Sequence, residues 1–474
     1  MDATPFISDG RAAVSYQELR EAIPVWDKWL RQQGSSREDC LALYLRGDVE
    51  SAAALLALLF LRQSACLSRQ PVTSMASDES PGTAPRFCHA TLIKRQIGTG
   101  ADPSPADPDG FCLVHSNEHA VTRHKAEPAY VYVPTSGTTG TPKIAAYEHD
   151  RLISNAGNCV TRFQLSPADR VLIPVPLAHM YGLGAAFLPA FLAGASVRLI
   201  SEANLLNYLQ AEEEFEPTVT YLTPNFCYLL VKGRKKARKY RLTILAGDSV
   251  PEQLFTSYEQ QYGCTVNLYG STELGAIAAG GPGEPFDARR DTAGKLMPGV
   301  RLANINTAGQ AESRAQDELS PLCFEHPHGC SGYADADGKP EKPEWLFDGR
   351  YYATQDMGRA DADGRLQLLG RVADSVKRDG LLVAFADIES ALQKLVVIER
   401  ALVVPGGMTP RGRELIAVCV SASGSPVNAE AMRRLALGVL PGYAAPDRFV
   451  FVNELPLTAT YKPDRSAAAY MVAQ

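Results

Sequence analysis

The spacing of apolar residues predicts alternating helices and strands in the first part of the chain. Apolar positions over Tyr16–Gln32 indicate a helix, and the continuous apolar run Cys40–Tyr44 is typical of a buried strand. The longest apolar run, at 52–61, is about half the length that a bilayer-spanning helix needs, so it predicts a helix buried in the first domain. The polar stretch at 71–109 that follows shows no recognisable chemistry.

Strand and helix patterns also alternate in the middle of the chain. Strands are predicted at 129–133, 144–147, 170–174, 196–200, 242–246 and 264–268, and helices at His149–Phe163, 185–193 and 254–262. This alternation predicts an α/β domain built on a parallel sheet.

The pattern of predicted helices and strands changes after residue 372. Helical patterns at 386–400 and 429–440 are interspersed with strand patterns at 401–405, 415–420 and 449–452. We expect a separate α+β unit of about a hundred residues. The predicted domains are therefore 1–372 and 373–474. Before this boundary, the sequence Asp-Ala-Asp-Gly at 361–364 predicts a hairpin turn.

Length and charge narrow the class of protein. A chain of 474 residues with 45% hydrophobic residues is long enough for more than one core. The net charge of -6 disfavours binding to nucleic acid or to an anionic membrane, because both need a basic surface. Ten cysteines without a C-x-x-C pair, and a start without a signal pattern, predict a cytoplasmic protein without a membrane span.

The segment 132–143 has the composition of a phosphate-binding loop. Its glycines and hydroxyls can turn backbone N–H groups, side-chain oxygens and one cation toward a polyphosphate. It is not a Walker A loop, because the required glycine spacing is absent and Ile144 follows the lysine. A surface turn is the structural alternative. The candidate ligands are Thr135, Ser136, Gly137, Thr138, Thr139, Gly140 and Lys143.

Further candidate ligands follow predicted strands. His179 comes after the strand at 170–174, at the sheet edge where α/β proteins bind ligands, although a histidine satisfied in the core is the alternative. Another strand ends in the segment Tyr-Gly-Ser-Thr-Glu at 269–273. There an aromatic ring can stack on a base, hydroxyls can reach a phosphate and a carboxylate can hold Mg²⁺.

A basic run lies at 232–241, with seven Lys and Arg residues. Such a run can be ordinary solvated surface or a docking patch for an anionic partner. Both interpretations remain open from the sequence.

These motifs, in this order, resemble the adenylate-forming superfamily of acyl-CoA and aryl-CoA ligases, adenylation enzymes and firefly-type luciferases. The resemblance runs from about residue 130 to residue 465 and also rests on Asp356, Arg371 and Lys462. It implies an α/β fold with a large N-terminal domain of two α/β subdomains plus a distorted β-barrel. A small mobile α+β C-terminal domain would follow.

The resemblance also implies roles for individual residues. The loop at 135–143 would hold the β- and γ-phosphates of ATP, and Glu273 would ligate Mg²⁺. Catalysis would involve Lys462, which would bridge the substrate carboxylate and the α-phosphate. The other nucleotide-binding residues would be Tyr269 on adenine, Thr272 on the α-phosphate, Asp356 and Arg371 on the ribose, and Gly247.

The same resemblance implies a conformational change and a thiol acceptor. Asp374 would be the hinge, and Gly380 would line the tunnel for pantetheine. The sequence departs from the family pattern at three places: Gln355 stands where Gly is usual before the ribose-binding Asp, Ile144 replaces a Gly, and Pro463 follows the catalytic lysine. None of these departures removes a charged catalytic group.

The implied reaction is ATP-dependent ligation of a carboxylic acid to CoA or to the phosphopantetheine of an acyl carrier protein, through an acyl-AMP. The implied substrate pocket contains His179, Met180, Tyr181, Gly184 and Gly270, with His179 also as a catalytic candidate. No carboxylate is present in this segment to pair an α-ammonium group, which disfavours amino acids. The His-Met-Tyr segment at 179–181 resembles the corresponding one in aryl-acid and acyl-CoA ligases, which implies an aromatic or medium-length fatty acid. An amino-acid adenylation enzyme, a luciferase-like oxygenase and a non-catalytic nucleotide-binding protein are the alternatives.

Overall fold

The computed structural model describes most of the chain. The described residues are 5–68, 84–94, 104–115, 128–135, 143–233, 238–305, 311–312, 320–342, 346–347, 349–371, 374–379, 381–422, 429–457 and 463–473. Within these ranges, no helix combines the length and apolarity needed to span a membrane.

The chain divides into two compact units. The first contains residues 1–247, 257–301 and 325–350, and the second contains 248–256, 302–324 and 351–474. The second unit thus includes segments that precede residue 373 as well as the C-terminal region. The domain boundary expected between residues 372 and 373 stays a prediction.

The helices of the described chain follow the apolar pattern with a few differences. They are α1 (Tyr16–Gln32), α2 (Val49–Phe60), α3 (His149–Phe163), α4 (Leu188–Leu192), α5 (Leu205–Phe215), α6 (Pro224–Gly233), α7 (Glu252–Tyr262), α8 (Phe286–Asp291), α9 (Phe385–Gln393), α10 (Ala429–Leu437) and α11 (Arg465–Ala473), with a 3₁₀ turn at Pro108–Gly110 and a π-helical segment at Tyr181–Phe187.

Several helix predictions were wrong in extent, and the helix expected at 429–440, for example, ends at Leu437. The helix expected at 386–400 ends at Gln393, and a strand begins at Ile398. The helix expected at 185–193 begins earlier, as the π-helical segment Tyr181–Phe187, where the absence of a side chain on Gly182 leaves room for the Pro176 carbonyl of the preceding loop.

The strands are β1 (Phe6–Ser8), β2 (Ala13–Ser15), β3 (Cys40–Tyr44), β4 (Ser64–Ser68), β5 (Ala90–Lys94), β6 (Phe111–His115), β7 (Tyr130–Pro134), β8 (Ile144–Glu148), β9 (Arg170–Ile173), β10 (Ser196–Leu199), β11 (Val219–Leu222), β12 (Tyr240–Leu245), β13 (Gly263–Ser271), β14 (Gly275–Ala279), β15 (Lys295–Leu296), β16 (Arg301–Ile305), β17 (Ala311–Glu312), β18 (Ser320–Glu325), β19 (Gly332–Ala334), β20 (Pro340–Glu341), β21 (Leu346–Phe347), β22 (Tyr351–Ala360), β23 (Leu366–Arg371), β24 (Ser375–Arg378), β25 (Leu381–Ala384), β26 (Ile398–Thr409), β27 (Gly412–Ser421) and β28 (Arg448–Val452).

The first unit contains two large sheets. One has the order β15-β14-β13-β12-β11-β9-β10-β1-β2 and is parallel from β13 to β1. The other has the order β20-β19-β8-β7-β4-β3-β5-β6 and is parallel from β7 to β5. The predicted parallel α/β architecture is confirmed.

Helices α1 to α3 show why these segments fold locally. The Ser15 side chain and Glu18 form a reciprocal capping box at the start of α1. Helix α2 is rich in Ala and Leu and is buried on nearly every face, as the apolar run predicted. Helix α3 packs against β14 of one sheet and against β7 and β8 of the other, so it joins the two halves of this unit.

The second unit has its own sheets and cores. Strands β17, β16, β18 and β22 are adjacent in that order, β23 pairs with β22, and a further sheet has the order β25-β24-β27-β26 with β28 on β27. The turn predicted at 361–364 does connect β22 to β23 as a hairpin. Separate apolar clusters lie on the two faces of the β26–β27 pair, one against α9 and α10 and one against α11.

Candidate active site

The predicted phosphate loop is a closed connection between two paired strands. Strand β7 runs antiparallel to β8, with Pro134 opposite Ile144. The backbone N–H of Thr135 donates to the carbonyl of Lys143 at 2.8 Å. The loop therefore begins and ends at one point of the sheet. Ser136, Gly137, Thr138, Thr139 and Gly140 lie outside the described residues.

The motif at 269–273 forms the tight connection between β13 and β14. Tyr269 is buried on β13, and Gly270 is required there because a Cβ at that position would lie 2.3 Å from the Gly275 carbonyl oxygen. Thr272 and Glu273 follow at the turn and are partly exposed. This is the carboxyl end of a parallel strand, where α/β proteins bind ligands.

Three hydrogen bonds fix this turn, two of them donated by distant segments of the chain and one formed within the turn. The Tyr147 hydroxyl donates to the Thr272 carbonyl at 2.9 Å, and the Cys330 N–H donates to the Glu273 carbonyl at 2.7 Å. The Leu274 N–H donates to the Ser271 hydroxyl at 3.1 Å. The backbone that carries the two candidate ligands is therefore held by residues of distant segments.

Asn155 of α3 supports the same turn from the protein interior. Its Nδ2 donates to the Leu274 carbonyl at 2.9 Å, and its Oδ1 accepts from the Ala276 N–H at 3.1 Å. Gly275, with a φ of 69°, leaves room for this amide, since a Cβ there would lie 2.4 Å from Nδ2. Asn155 thus satisfies both sides of a buried backbone corner.

His326 extends this buried network. Its Nδ1 accepts from the His328 N–H at 3.0 Å, so its Nε2 carries the proton and donates to the Ala276 carbonyl at 2.9 Å. Burial lowers the pKa of His326 to about 4, because desolvation penalises the charged imidazolium. The ring is therefore neutral at physiological pH and fixed as one tautomer.

Glu273 and Lys143 meet a residue that the sequence did not single out. The Tyr333 hydroxyl donates to Glu273 Oε1 at 2.7 Å. The Lys143 Nζ lies 5.0 Å from the centre of the Tyr333 ring, within cation–π range. One tyrosine thus contacts the predicted metal ligand and the predicted phosphate-binding lysine.

The predicted substrate segment follows β9. His179 is partly exposed, and its carbonyl accepts the N–H of Leu183 at 2.8 Å. Met180 is buried, and its Sδ would lie 2.5 Å from a Cβ on Gly184, so the methionine packs closely on the glycine backbone. The Tyr181 hydroxyl lies 3.0 Å from the carbonyl of Leu222, the last residue of β11, and 2.8 Å from that of Ile244 in β12, so it is engaged with the sheet.

Gly247 follows the end of β12. Its φ of 97° lies in the region that favours glycine, and it is exposed. The ends of β9, β12 and β13 therefore deliver the segment at 175–184, Gly247 and the motif at 269–273 to the same edge of one sheet.

The predicted ribose ligands lie in the second unit. Asp356 on β22 is directly opposite Arg371 on β23. Gln355 has a φ of 65°, so its backbone takes the conformation that suits the glycine usual at this position in the family. The side chain of Arg371 lies outside the described part.

The predicted hinge residue is held by an ion pair in the same unit. The Arg465 Nε lies 3.1 Å from Asp374 Oδ1, and its guanidinium also pairs with Glu389 and donates to the Val403 carbonyl. Lys462 and Gly380 lie outside the described residues.

The basic run at 232–241 is partly engaged within the chain. Lys232 lies over the Tyr228 ring, Lys239 donates to the Gln260 carbonyl, and Arg241 pairs with Asp169 at 2.8 Å. Because Asp169 is almost fully buried in this pair, Arg241 has a structural role. Residues 234–237 lie outside the described part.

Comparison with known families identifies the chain. The sequence model of the AMP-binding enzyme family matches residues 78–334. The model of the family's C-terminal domain matches residues 387–462. The chain belongs to the AMP-binding enzyme family. The resemblance inferred from the motifs is thereby confirmed.

Several curated proteins are similar in sequence to this chain. Indoleacetate–CoA ligase of Aromatoleum aromaticum is 30% identical over 72% of this chain and 66% of its own length. Tyrocidine synthase 2 of Brevibacillus parabrevis is 24% identical over 96% of this chain, which spans 13% of that protein. 2-Succinylbenzoate–CoA ligase of Geobacillus kaustophilus is 25% identical over 96% of this chain and 92% of its own.

Solved structures establish the fold. ATP-bound MatB from Rhodopseudomonas palustris has a TM-score of 0.78 at 20% identity and covers 99% of this chain and 96% of its own. The anthranilate CoA ligase AuaEII in complex with anthranoyl-AMP has the same score at 19% identity, with coverage of 100% and 96%. The AMP-binding enzyme therefore has the predicted adenylate-forming fold, with α/β sheets, a curled half-barrel sheet and a C-terminal domain.

Sequence reasoning missed Tyr333 and Asn155, and it considered His326 only in a possible metal site at 326–330, which it disfavoured because the sequence offers no second ligand pair. No local motif marks them, because each acts on the turn at 271–275 from a segment far along the chain.

Proposed function

We propose that this AMP-binding enzyme is an AMP-forming acid–CoA ligase. The observation that supports this most directly is the arrangement of Glu273 and Lys143 about one tyrosine, since an anionic metal ligand and a cation are what a magnesium-bound polyphosphate requires. The names of two similar proteins, indoleacetate–CoA ligase and 2-succinylbenzoate–CoA ligase, give the reaction class.

The residues present fit a magnesium–nucleotide complex. Mg²⁺ is usually held by one or two carboxylates together with phosphate and water oxygens. Glu273 is partly exposed, and among the described residues its Oε2 has no hydrogen-bond or ionic partner. When bound, Mg²⁺ would neutralise phosphate charge.

In the first half-reaction, the substrate carboxylate attacks the α-phosphorus of ATP and pyrophosphate leaves. Both reactants are anionic, so cations aimed at the developing charge lower the barrier. We assign Lys143 to the β- and γ-phosphates, Thr272 to the α-phosphate and Lys462 to the oxygens that join acid and phosphate. Tyr269 would stack on adenine, and Asp356 with Arg371 would hold the ribose.

In the second half-reaction, a thiol attacks the acyl carbon and AMP leaves. We propose CoA as the acceptor, because the similar ligases are named for CoA. An acyl carrier protein is the second candidate. It would use the basic residues at 234–236, since Arg241 at the end of the run is committed to Asp169.

We propose an aromatic acid as the substrate, with a fatty acid second. Indoleacetate and 2-succinylbenzoate are both aromatic acids. Amino acids are disfavoured despite the similarity to tyrocidine synthase 2, because the segment at 179–184 offers no carboxylate to an α-ammonium group.

A pyrophosphate-release screen tests the proposal. The enzyme is incubated with Mg·ATP and with benzoates, arylacetates, cinnamates, fatty acids and amino acids, with and without CoA. Acid-dependent pyrophosphate release, followed by CoA-dependent AMP release and thioester formation, is the expected result. Oxygen uptake in step with product would favour the luciferase-like alternative, and no release with any acid would contradict the proposed reaction.

A further inference from the structure

We infer that Tyr333 is a positioning residue that couples the carboxylate of Glu273 to the lysine of the phosphate loop, an inference that rests on the proposed function. Tyr333 belongs to no motif found in the sequence. Its hydroxyl and its ring each contact a different candidate ligand of the same Mg·ATP complex.

Strand pairing explains how Tyr333 reaches Lys143. Strand β19 pairs antiparallel with β8, and Tyr333 lies opposite Ala145. Lys143 is two residues before Ala145, so it is the diagonal neighbour of Tyr333 on the same face of the sheet. Diagonal neighbours lie within reach of aromatic and long side chains. The cation–π contact therefore follows from the register rather than from a chance rotamer.

Backbone contacts explain how Tyr333 reaches Glu273. The N–H of Cys330 donates to the Glu273 carbonyl at 2.7 Å, and the N–H of Ser331 donates to the Ala146 carbonyl at 2.8 Å. The segment from Cys330 to Tyr333 is thus tied to the Glu273 turn at one end and to β8 at the other. The tyrosine hydroxyl is placed by both anchors.

The consequence is electrostatic. A hydrogen bond from the Tyr333 hydroxyl fixes one oxygen of Glu273 and leaves the other oriented for a cation, as hydrogen-bonded supporting residues do at metal sites. The ring beneath Lys143 limits the positions of the ammonium group. In the proposed complex the metal held by Glu273 and the ammonium group of Lys143 bind the same polyphosphate. Tyr333 therefore sets the distance between these two positive charges.

Two variants separate the two contacts. Tyr333→Phe removes the hydroxyl and keeps the ring, so it should weaken metal binding in the presence of ATP about tenfold, within the range for loss of a residue that orients a metal ligand. Tyr333→Leu removes both contacts, so it should also weaken ATP binding measured without metal. Tyr130→Phe on the neighbouring strand β7 is the matched control.

Binding of Mn²⁺ by the full chain in the presence of ATP is monitored through the electron paramagnetic resonance signal of the free ion. Binding of ATP without metal is measured by calorimetry. No acid substrate is needed. In a Glu273→Gln background, Tyr333→Phe should have no further effect, because the hydroxyl acts through that carboxylate. Thermal unfolding of each variant verifies that it is folded.

The outcomes distinguish this inference from the proposed reaction. If the wild type releases pyrophosphate but Tyr333→Phe binds Mn²⁺ like Tyr130→Phe, the positioning role is wrong and the function stands. If no acid is activated but Tyr333→Phe still weakens Mn²⁺ binding about tenfold, the positioning role stands and the function is wrong. If the wild type does not bind Mn²⁺ with ATP at all, both are wrong.

Discussion

Gln355 holds a backbone conformation that its side chain disfavours. Its φ of 65° lies in the left-handed region, which costs a residue with a Cβ about 1–2 kcal/mol. The residue directly precedes Asp356, the candidate ribose ligand. The backbone at this position therefore has a conformation that suits glycine although the residue is glutamine. Backbone strain of this kind is common near functional sites.

Replacing this residue with glycine should stabilise the protein. In Gln355→Gly, relief of the left-handed strain exceeds the added freedom of the unfolded chain, so the free energy of unfolding should rise by roughly 0.5–1 kcal/mol. Urea denaturation measures the change. Gln367→Gly on the paired strand β23 is the control and should lower stability. A loss of stability in Gln355→Gly would mean that its side chain makes a compensating contact.

His326 makes the stability of the first unit sensitive to acid. Its pKa is about 4 in the folded chain, lowered by burial, and about 6.5 in an unfolded chain. Above pH 6.5 both states are neutral. Between pH 6.5 and 4 the unfolded state binds the proton and the folded state does not, so stability falls as pH falls, by up to about 3 kcal/mol.

His326→Gln should reduce the dependence of folding stability on pH. The amide of glutamine can still donate to the Ala276 carbonyl but cannot titrate. Urea denaturation at pH 7.5 and pH 5 should show a smaller difference for the variant than for the wild type. The exposed His115→Gln is the control and should retain the wild-type difference. If the difference in stability between pH 7.5 and pH 5 is equal in all three proteins, His326 is not the group whose titration causes it.

At the scale of elements, the connection between β13 and β14 depends on helix α3. The turn at 271–275 is preceded by Gly270 and ends in Gly275, so its own sequence does not define a rigid shape. Asn155 supplies the missing constraint by pairing with the backbone at Leu274 and Ala276. The helix thereby supports the backbone that carries Glu273.

Asn155→Ala should destabilise the protein and impair nucleotide binding together. Loss of the amide leaves a buried N–H and a buried carbonyl unpaired, which should lower the free energy of unfolding by about 2–3 kcal/mol. Asn158→Ala, one turn along the same helix, removes only a hydrogen bond to the Pro298 carbonyl at an exposed site, so it should change that free energy by less than about 1 kcal/mol. Calorimetric titration with Mg·ATP checks the functional effect. Wild-type affinity in Asn155→Ala would confine the residue to a structural role.

At the scale of the whole molecule, the two compact units carry different parts of the proposed chemistry. The first unit holds the phosphate loop and the motif at 269–273, and the second holds Asp356, the hinge candidate Asp374 and the segment that contains Lys462. Arg465 follows this lysine by three residues and pairs with Asp374. The hinge candidate and the start of α11 are thus joined within one unit.

This division predicts separable half-reactions. Lys462→Ala should lower acid-dependent adenylation by roughly 10²- to 10³-fold, the scale for loss of one preorganised charge partner in the transition state. Transfer from a supplied acyl-adenylate to CoA should continue, because the supplied adenylate bypasses the attack of the carboxylate on the α-phosphorus, the step to which we assign Lys462. Pyrophosphate release and thioester formation are measured separately. Full adenylation activity in the variant would overturn the assignment.

The sequence by itself determined the family, the alternating α/β elements and the order of the ligand-bearing motifs. These are properties of contiguous residues, since periodicity sets strands and helices locally and each motif lies within a few positions. The limits of α1, α3 and β3 followed directly from that pattern. The end of α9 did not, because tight turns at Lys394 and Leu395 end the helix and the chain from Ile398 pairs with β27 instead.

Only the tertiary structure decided which residues meet. Tyr333 reaches Glu273 and Lys143 through the pairing of a three-residue strand, and Asn155 reaches the turn through helix packing. Such contacts join segments tens to more than a hundred residues apart, and nothing in the local composition of either partner specifies the other. They form because burial and strand register act on the whole chain at once, so they are visible only once it has folded.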